Sequence, residues 1–393
     1  MLPRHADPAP GSASSLRSAN QQRVLDVLRG GASGEPVTED GTFTQAELAR
    51  ATGLAPATVS SIVRELTASR LVEADPGSGR RGSSVRLARD AGLVGGVDFG
   101  HSHVAVAIGD LTGRLLAEER CDVEAGHHHT EALQRAASML DAMSPQHGTV
   151  RGIGLGLPAP VVNNVIRSSA IFPGWEGVDA RLAAEKQFGT PVHVENDANL
   201  GALAEHRQGV GRGHDSSVFV KISSGVGAGI IIDNQLFHGA GGTAGEIGHL
   251  TLDDQGPLCR CGSRGCLEAY TSVGSILAMM AGQLPGVDLD GVVAAARSGN
   301  VSAQRAFEDA GLQLGWGLAS IVNLLNPSLV VVGGDMAGAG ELLLEPARIG
   351  LRRHALDAVA YTPVLAGQLG ERASLVGAVL LAAERTELVV GQD

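Results

Sequence analysis

Aromatic residues are scarce, 3% of 393 positions, while glycine is abundant at 55. That balance suits an α/β fold with many tight strand turns and backbone lying close to a ligand. No apolar run reaches the ~18 residues that a membrane span requires. The first twenty residues lack the apolar core of a signal peptide, so no membrane partner and a cytoplasmic location are expected. Charged residues amount to only 18%, yet apolar ones reach 44%, which excludes global disorder and allows a large core. The length asks for about two or three domains. Cysteine is rare, with four in all. Three of them cluster, which in a reducing compartment speaks for metal ligation rather than disulfides. Net positive charge is missing as well: the chain carries −12, the wrong sign for a nucleic-acid binder if the charge were spread evenly. It is not. Residues 1–90 hold eleven arginines and ten acids, a net +1 that leaves −13 for the remainder. Arg80, Arg81, Arg86 and Arg89 lie in a stretch with no acid between Pro76 and Arg89, a local basic patch on an acidic body.

Residues 1–18, rich in Pro, Ala and Ser, are expected to form a disordered tail. Val24, Leu25 and Leu28 fall at helical spacing, which predicts a helix from Asn20 to about Arg29. Thr44 opens T-Q-A-E, a capping box that starts a helix, and Gly53 ends it. A second helix is expected from Pro56 to about Ser69, followed by two strands at 71–73 and 85–87. Helix, glycine turn, helix and hairpin is the order of a winged helix-turn-helix, here an N-terminal, mainly α domain over 19–90. Ala57, Thr58, Ser60, Ser61 and Arg64 would then lie on or near the outward face of the recognition helix, to read operator DNA. The wing at 78–82 offers Arg80 and Arg81 to a minor groove. The alternative is an exposed helical unit for protein contacts.

From Leu93 the texture changes to strands at 94–99, 103–109 and 114–123. A similar group recurs at 218–223, 229–233 and 236–237, with a glycine-dense turn from Ser224 to Gly227. Two such halves predict a duplicated actin-like (ribonuclease H-like) α/β body, the alternative being two unrelated βαβ units. The small lobe is expected over 91–200, joined by a C-terminal helix over 374–390, and the large lobe over 201–373. An apolar strand at 329–332 ends in Gly333-Gly334, where a nucleotide could approach backbone.

His249 precedes C-R-C-G-S-R-G-C, which holds Cys259, Cys261 and Cys266. Three thiolates and an imidazole form a tetrahedral zinc set with no open position, so one structural zinc per chain is expected. The run His127-His128-His129 reads as solvated. The segment Glu195-Asn196-Asp197-Ala198-Asn199 follows an apolar strand, at the end where an α/β sheet binds its ligand. Asn196 and Asp197 could bond a polyol, with Asp197 also able to act as a general base. Capping of the next helix explains that segment equally well. Glu246, His249 and Glu268 form a second polar group, in which His249 would hold zinc through one nitrogen and leave the other for a sugar hydroxyl.

These residues resemble the ROK family (repressors, uncharacterised reading frames and sugar kinases). The matching features are G-V-G-A-G from Gly225, then Gly239, E-I-G-H ending at His249, the cysteine loop closing with Glu268, Phe172-Pro173-Gly174-Trp175 and E-N-D-A-N. The resemblance covers about residues 93–390, and the head is similar to the winged helix of the family's regulators. It implies that Asn196, Asp197, Glu246, His249 and Glu268 hold a hexose-like sugar, and that Asp197 is the catalytic base in those members that are kinases. Two departures follow. Family kinases carry D-x-G-G-T-K in the first phosphate turn, where this chain has Asp98-Phe99-Gly100-His101-Ser102-His103, with a His101 side chain expected to narrow the cradle. Their second turn carries G-T-G, here Ser223-Ser224-Gly225. Asp98, Gly100, Ser224, Gly225, Gly333 and Gly334 would then be remnants of a nucleotide site. The expectation is a sugar-responsive transcription regulator, a homodimer or dimer of dimers, whose kinase-like body binds its effector without phosphorylating it. The rival is an ATP-dependent hexose kinase, alone or bifunctional.

Overall fold

The computed structural model describes residues 13–29, 42–75, 84–88, 91–124, 126–143, 148–166 and 172–386. Its N-terminal head contains α1 (Ala13–Leu28), β1 (Phe43–Thr44), α2 (Gln45–Thr52), α3 (Pro56–Ala68), β2 (Val72–Asp75) and β3 (Ser84–Leu87). The capping box forms: Glu47 N donates to Thr44 Oγ1 at 3.2 Å, and Thr44 N donates to Glu47 Oε2 at 2.7 Å. The expected turn follows at Gly53, and Leu48, Val59, Ile62, Val63 and Leu66 are buried. The strands form an antiparallel sheet in the order β1-β3-β2, so the head is helical with a small wing sheet. Helix α1 begins at Ala13 and not at Asn20, and so takes in residues 13–18 that the sequence assigned to a tail.

The body repeats one plan twice. Its first half runs β4 (Leu93–Phe99), β5 (His103–Asp110), β6 (Leu115–Asp122), α4 (His129–Met143), β7 (Val150–Leu157), a small hairpin of β8 (Val161–Val162) and β9 (Val165–Ile166), α5 (Ala180–Phe188), β10 (Val192–Asn196) and α6 (Asp197–Gln208). The second half runs β11 (Ser217–Ile222), β12 (Val226–Ile232), β13 (Gln235–Leu236), α7 (Leu267–Thr271), α8 (Val273–Met280), α9 (Leu289–Arg297), α10 (Val301–Leu325), β14 (Val330–Gly333), α11 (Glu341–His354), β15 (Val364–Ala366) and α12 (Ala373–Arg385). The sheets are ordered β10-β7-β4-β5-β6 and β13-β12-β11-β14-β15. In each, three antiparallel strands come first, and the fourth and fifth then add in parallel beside the first. This is the duplication expected of the actin-like fold. Parallel strands covered on both faces read as nearly continuous apolar runs, as in β4 and β14, whose residues are all buried.

Helix α12 returns from the second half to pack on β4, β7 and α6. A Cβ on Gly377 would stand 2.0 Å from Leu200 O, so α12 and α6 meet backbone to backbone. Residues 373–383 are all buried. The head does not stand apart from this assembly. Val24, Leu25 and Leu28 share an apolar core with Val94, Ala105 and Ala107 of the first sheet and with Leu375, Val379 and Ala382 of α12. At its edge the buried Arg29 donates from Nη2 to Thr386 O at 2.6 Å and from Nη1 to Glu384 O at 3.3 Å. A cation therefore caps the carbonyl end of α12, where the helix dipole favours positive charge.

Candidate functional site

The ends of β4, β10 and β11 and the starts of α6 and α12 converge between the two halves. Asn196 is the N-cap of α6: its Oδ1 accepts from Ala198 N (2.9 Å) and Asn199 N (3.2 Å), and its Nδ2 donates to Ala159 O (3.2 Å). The helix starts at Asp197, so the capping reading of Asn196 is met. Asp197 opens the helix with its carboxylate in the cleft. Lys221 of β11 reaches it, Nζ to Oδ2 2.7 Å, and also donates to Ser374 Oγ of α12 at 3.0 Å. Ser374 in turn donates to Asp197 O at 2.9 Å. Asp98 is buried at the end of β4, with Oδ2 3.3 Å from His103 Nε2 and no hydrogen-bond partner for Oδ1.

Burial alone would lower the Lys221 ammonium, but Asp197 and Asp98 outweigh it and push the pKa up to about 12. Burial and the nearby Asp98 hold Asp197 above the usual carboxylate range against the pull of Lys221. Burial, followed by Asp197 and Glu268, raises Glu246 to about 7. Asp197 and Glu268 thus both lie close enough to act on Glu246. Glu268 accepts from Val226 N through Oε2 (3.0 Å) and pairs with Arg260 Nε through Oε1 (2.7 Å). Across the same cleft Glu195 Oε2 meets His238 Nε2 at 2.7 Å. Burial would raise Glu195, but His238 and Asn199 outweigh it and lower it; the bond to Glu195 raises His238.

The turns expected to cradle phosphate are occupied by the chain itself. At the first, a Cβ on Gly100 would lie 2.0 Å from the His103 ring, and Gly100 N donates to His103 O at 3.0 Å. The His103 ring thus lies against this turn: β5 starts at His103, whose Nε2 stands 3.3 Å from Asp98 Oδ2. At the second turn Arg260 donates through Nη2 to Ser224 O, and Ser223 Oγ accepts from Asp335 N at 3.2 Å. Gly225 lies between this turn and β12. Gly333 abuts the Phe219 ring and Gly334 the backbone of Ile222, so both are explained by internal packing.

His249, Cys259, Cys261 and Cys266 come together with all ligand atoms within 4.8 Å of one another. Cys261 Sγ and Cys266 Sγ stand 3.7 Å apart, and Cys259 Sγ lies 3.9 Å from His249 Nδ1. Tetrahedral ligands about 2.3 Å from a common ion are separated by roughly 3.8 Å, so the set fits a metal. With Nδ1 turned to the sulfurs, Nε2 of His249 is the nitrogen left over. Of the histidine run expected to be solvated, His128 is exposed and His129 half-buried. His127 is buried, its Nε2 3.3 Å from Gly100 O and its ring edge-on to Phe172, and His129 Nδ1 lies 3.0 Å from Gly174 O.

On α3, Ala57 and Arg64 are exposed, and Thr58, Ser60 and Ser61 are half-buried. Ser61 Oγ bonds Glu65 at 3.1 Å, and Glu65 also accepts from Gln21 and Arg17 of α1, so Ser61 is engaged toward α1. Arg80 and Arg81 lie outside the described residues. Lys221, Arg260, His238, Glu195 and Ser374 were not singled out as site residues from the sequence. For Lys221 a signal existed: a lysine inside the apolar run Val218-Phe219-Val220-Lys221-Ile222. The others act through partners distant in the chain, which no local pattern marks.

The sequence model of the ROK family matches residues 94–385, and that of the MarR family matches residues 23–81. A xylose repressor of Bacillus spizizenii is 27% identical over 347 residues, 85% of this chain and 86% of its own. A glucokinase of Streptomyces coelicolor is 33% identical over 317 residues, 75% of this chain and 98% of its own. The crystal structure of a ROK family transcriptional regulator, a homologue of the E. coli MLC protein, aligns over 94% of this chain and 96% of its own, with TM-score 0.79 and 24% identity.

Proposed function

The chain belongs to the ROK family and carries a MarR-type winged helix head, and from that premise we propose that it is a sugar-responsive, DNA-binding transcriptional repressor. The observation that carries this reading is the contrast inside one cleft. Asp197 and Glu268 both act on Glu246 near the cysteine loop, while His103 packs against the first turn, Arg260 bonds the second and Lys221 is spent on Asp197. Phosphoryl transfer needs open backbone and unspent cations around the phosphates. The repressor match also takes in 85% of this chain, whereas a quarter of the chain lies outside the glucokinase match.

In this reading Asp197, Glu246, Glu268 and His249 Nε2 bond the hydroxyls of a sugar, with the remaining N–H of Asn196 beside them. The metal is one zinc per chain, because three thiolates and an imidazole suit it and leave no open position. Zinc, when bound, supplies a crosslink that holds His249 and Glu268 in place. Ala57, Thr58, Ser60 and Arg64 meet operator DNA in the major groove, with Ser61 engaged toward α1 and Arg80 and Arg81 contributing from the wing. A homodimer, or a dimer of dimers, presents two heads to a two-fold operator. Sugar changes operator affinity only by binding the two states of the body differently.

The test is fluorescence anisotropy on operator DNA with D-xylose, D-glucose and N-acetylglucosamine, alongside a coupled ATP assay. We expect one sugar to shift DNA affinity by ~5–150-fold without turnover; turnover at ~1–10³ s⁻¹ with no DNA binding would establish the kinase reading instead. Arg64→Ala should weaken operator binding by about 1–3 kcal/mol and relax specificity at one base pair.

A further inference from the structure

Lys221 is an anomaly by position. It stands in β11, the central strand of the second sheet, between Val220 and Ile222, which are fully buried, and opposite Gly227 and Gly333 on the neighbouring strands. Strands of this kind carry apolar side chains, and a lysine there requires a compensating charge. It receives two. Asp197 binds the ammonium at 2.7 Å, and Asp98 reinforces its charge from the other side of the cleft. Conversely, buried Asp98 raises the cost of ionising buried Asp197, while for Asp98 itself burial is outweighed by Lys221 and His103, which hold it below the usual carboxylate range. Without a cation between them they form a like-charge pair in a low-dielectric site, an arrangement proteins resolve with a metal ion or a proton. Asp98 retains a buried oxygen, Oδ1, with no hydrogen-bond partner.

We propose that Lys221 is a tethered counter-ion: its ammonium, bonded to Asp197 with Asp98 nearby, supplies from within the chain the positive charge that a cation would otherwise bring to these two carboxylates, with no metal–nucleotide complex. Two of the three ammonium hydrogens are spent on Asp197 and Ser374, and the third remains for a ligand oxygen. Because Ser374 also bonds Asp197 O, the ammonium ties the strand of one half to α6 and α12 in a single node. A side chain on a strand cannot leave with the product as a metal–nucleotide does, so the node is permanent. The inference stands independently of which sugar, if any, the body binds.

The test is thermal melting of the full-length, metal-replete chain in magnesium chloride, against sodium chloride of equal ionic strength. Magnesium is the chosen probe because an oxygen-seeking cation does not compete for the thiolate set. The unaltered chain is expected to show no magnesium-specific shift. Lys221→Met should melt lower, by on the order of 5 °C, and magnesium should restore most of the loss saturably, at roughly 1–10 mM. Lys221→Arg, which keeps the charge, should need no magnesium. Asp98→Asn added to Lys221→Met should abolish the response. If Lys221→Met is insoluble, the double change Lys221→Met with Asp197→Asn, which removes both charges, should fold and ignore magnesium. A saturable magnesium shift in the unaltered chain overturns the proposal; so does a Lys221→Met chain that melts like its parent and is indifferent to magnesium, or a double variant as insoluble as the single one. None of these outcomes bears on sugar or operator binding, so they leave the proposed function to its own test.

Discussion

The two halves of the body have the same strand order and directions, yet they fill their first turns by different means. In the first half the turn is closed locally, by His103 from the strand that leaves it. In the second it is closed from afar, by Arg260 of the cysteine loop and by the backbone after β14. Their outer surfaces differ too: the first half and α12 share a core with the head, while the second carries the cysteine insertion between β13 and α7. A duplicated scaffold is held by its buried strands, and turns and insertions, being outside that core, are free to take on separate duties.

Three perturbations bear on that contrast. The largest effect is expected on the second half. Cys266→Ala should reduce the metal content from one ion per chain to none and forfeit folding free energy on the order of 10 kcal/mol locally, releasing Arg260 and Glu268 and abolishing sugar binding. Metal analysis with calorimetry checks this, and normal sugar affinity in a metal-free chain would sever the loop from the cleft. Next comes the seam of the first half. Arg29→Met leaves the carbonyls of Glu384 and Thr386 without their donor, at a cost of about 2–3 kcal/mol. Differential scanning calorimetry should then resolve the head as a separate, earlier transition, and a single unshifted peak would mean that the apolar core alone holds the head. The smallest effect is at the bridge between halves. His238 is raised by Glu195, so its contribution is full below the unfolded histidine pKa of about 6.5 and is lost as pH rises through its higher folded value. Glu195 is lowered, so its contribution is lost as pH falls through its folded value. The bridge is therefore strongest between about pH 4.5 and 6.5. Since His238 is more than a third exposed, His238→Gln should cost no more than about 1 kcal/mol there and almost nothing at pH 8. Melting temperatures from pH 5 to 8 should show that convergence; parallel curves would remove the bridge.

Much of this was legible in the chain. The capping box at Thr44, the apolar faces of α2 and α3 and the cysteine spacing each state a local physical requirement and formed where expected, while the strands came in the expected order with ends shifted, as where β12 begins at Val226 inside the expected turn. The cleft was only half legible. Asn196 could be read as a ligand or as a cap, because the same side chain satisfies either; the structure shows the cap, made through Oδ1. Strand β5 begins at His103 as expected, but that its ring packs against Gly100 and reaches Asp98 depends on the fold. The histidine run looked like a polar loop and proved to be partly core, since Phe99, Phe172 and Trp175 supply an aromatic pocket from distant positions.

By itself the sequence determined the helix-turn-helix elements of the head, two similar groups of strands and the Cys3His cluster, because periodicity, turn residues and ligand spacing act over a few neighbouring positions. Only the tertiary structure decided which charges meet. Lys221, Asp98, Asp197 and Ser374 come from four separated segments, and Arg29 finds the end of α12 across nearly the whole chain. Electrostatic energy depends on distance and burial in space, and neither can be read from the order of residues until the fold has brought them together.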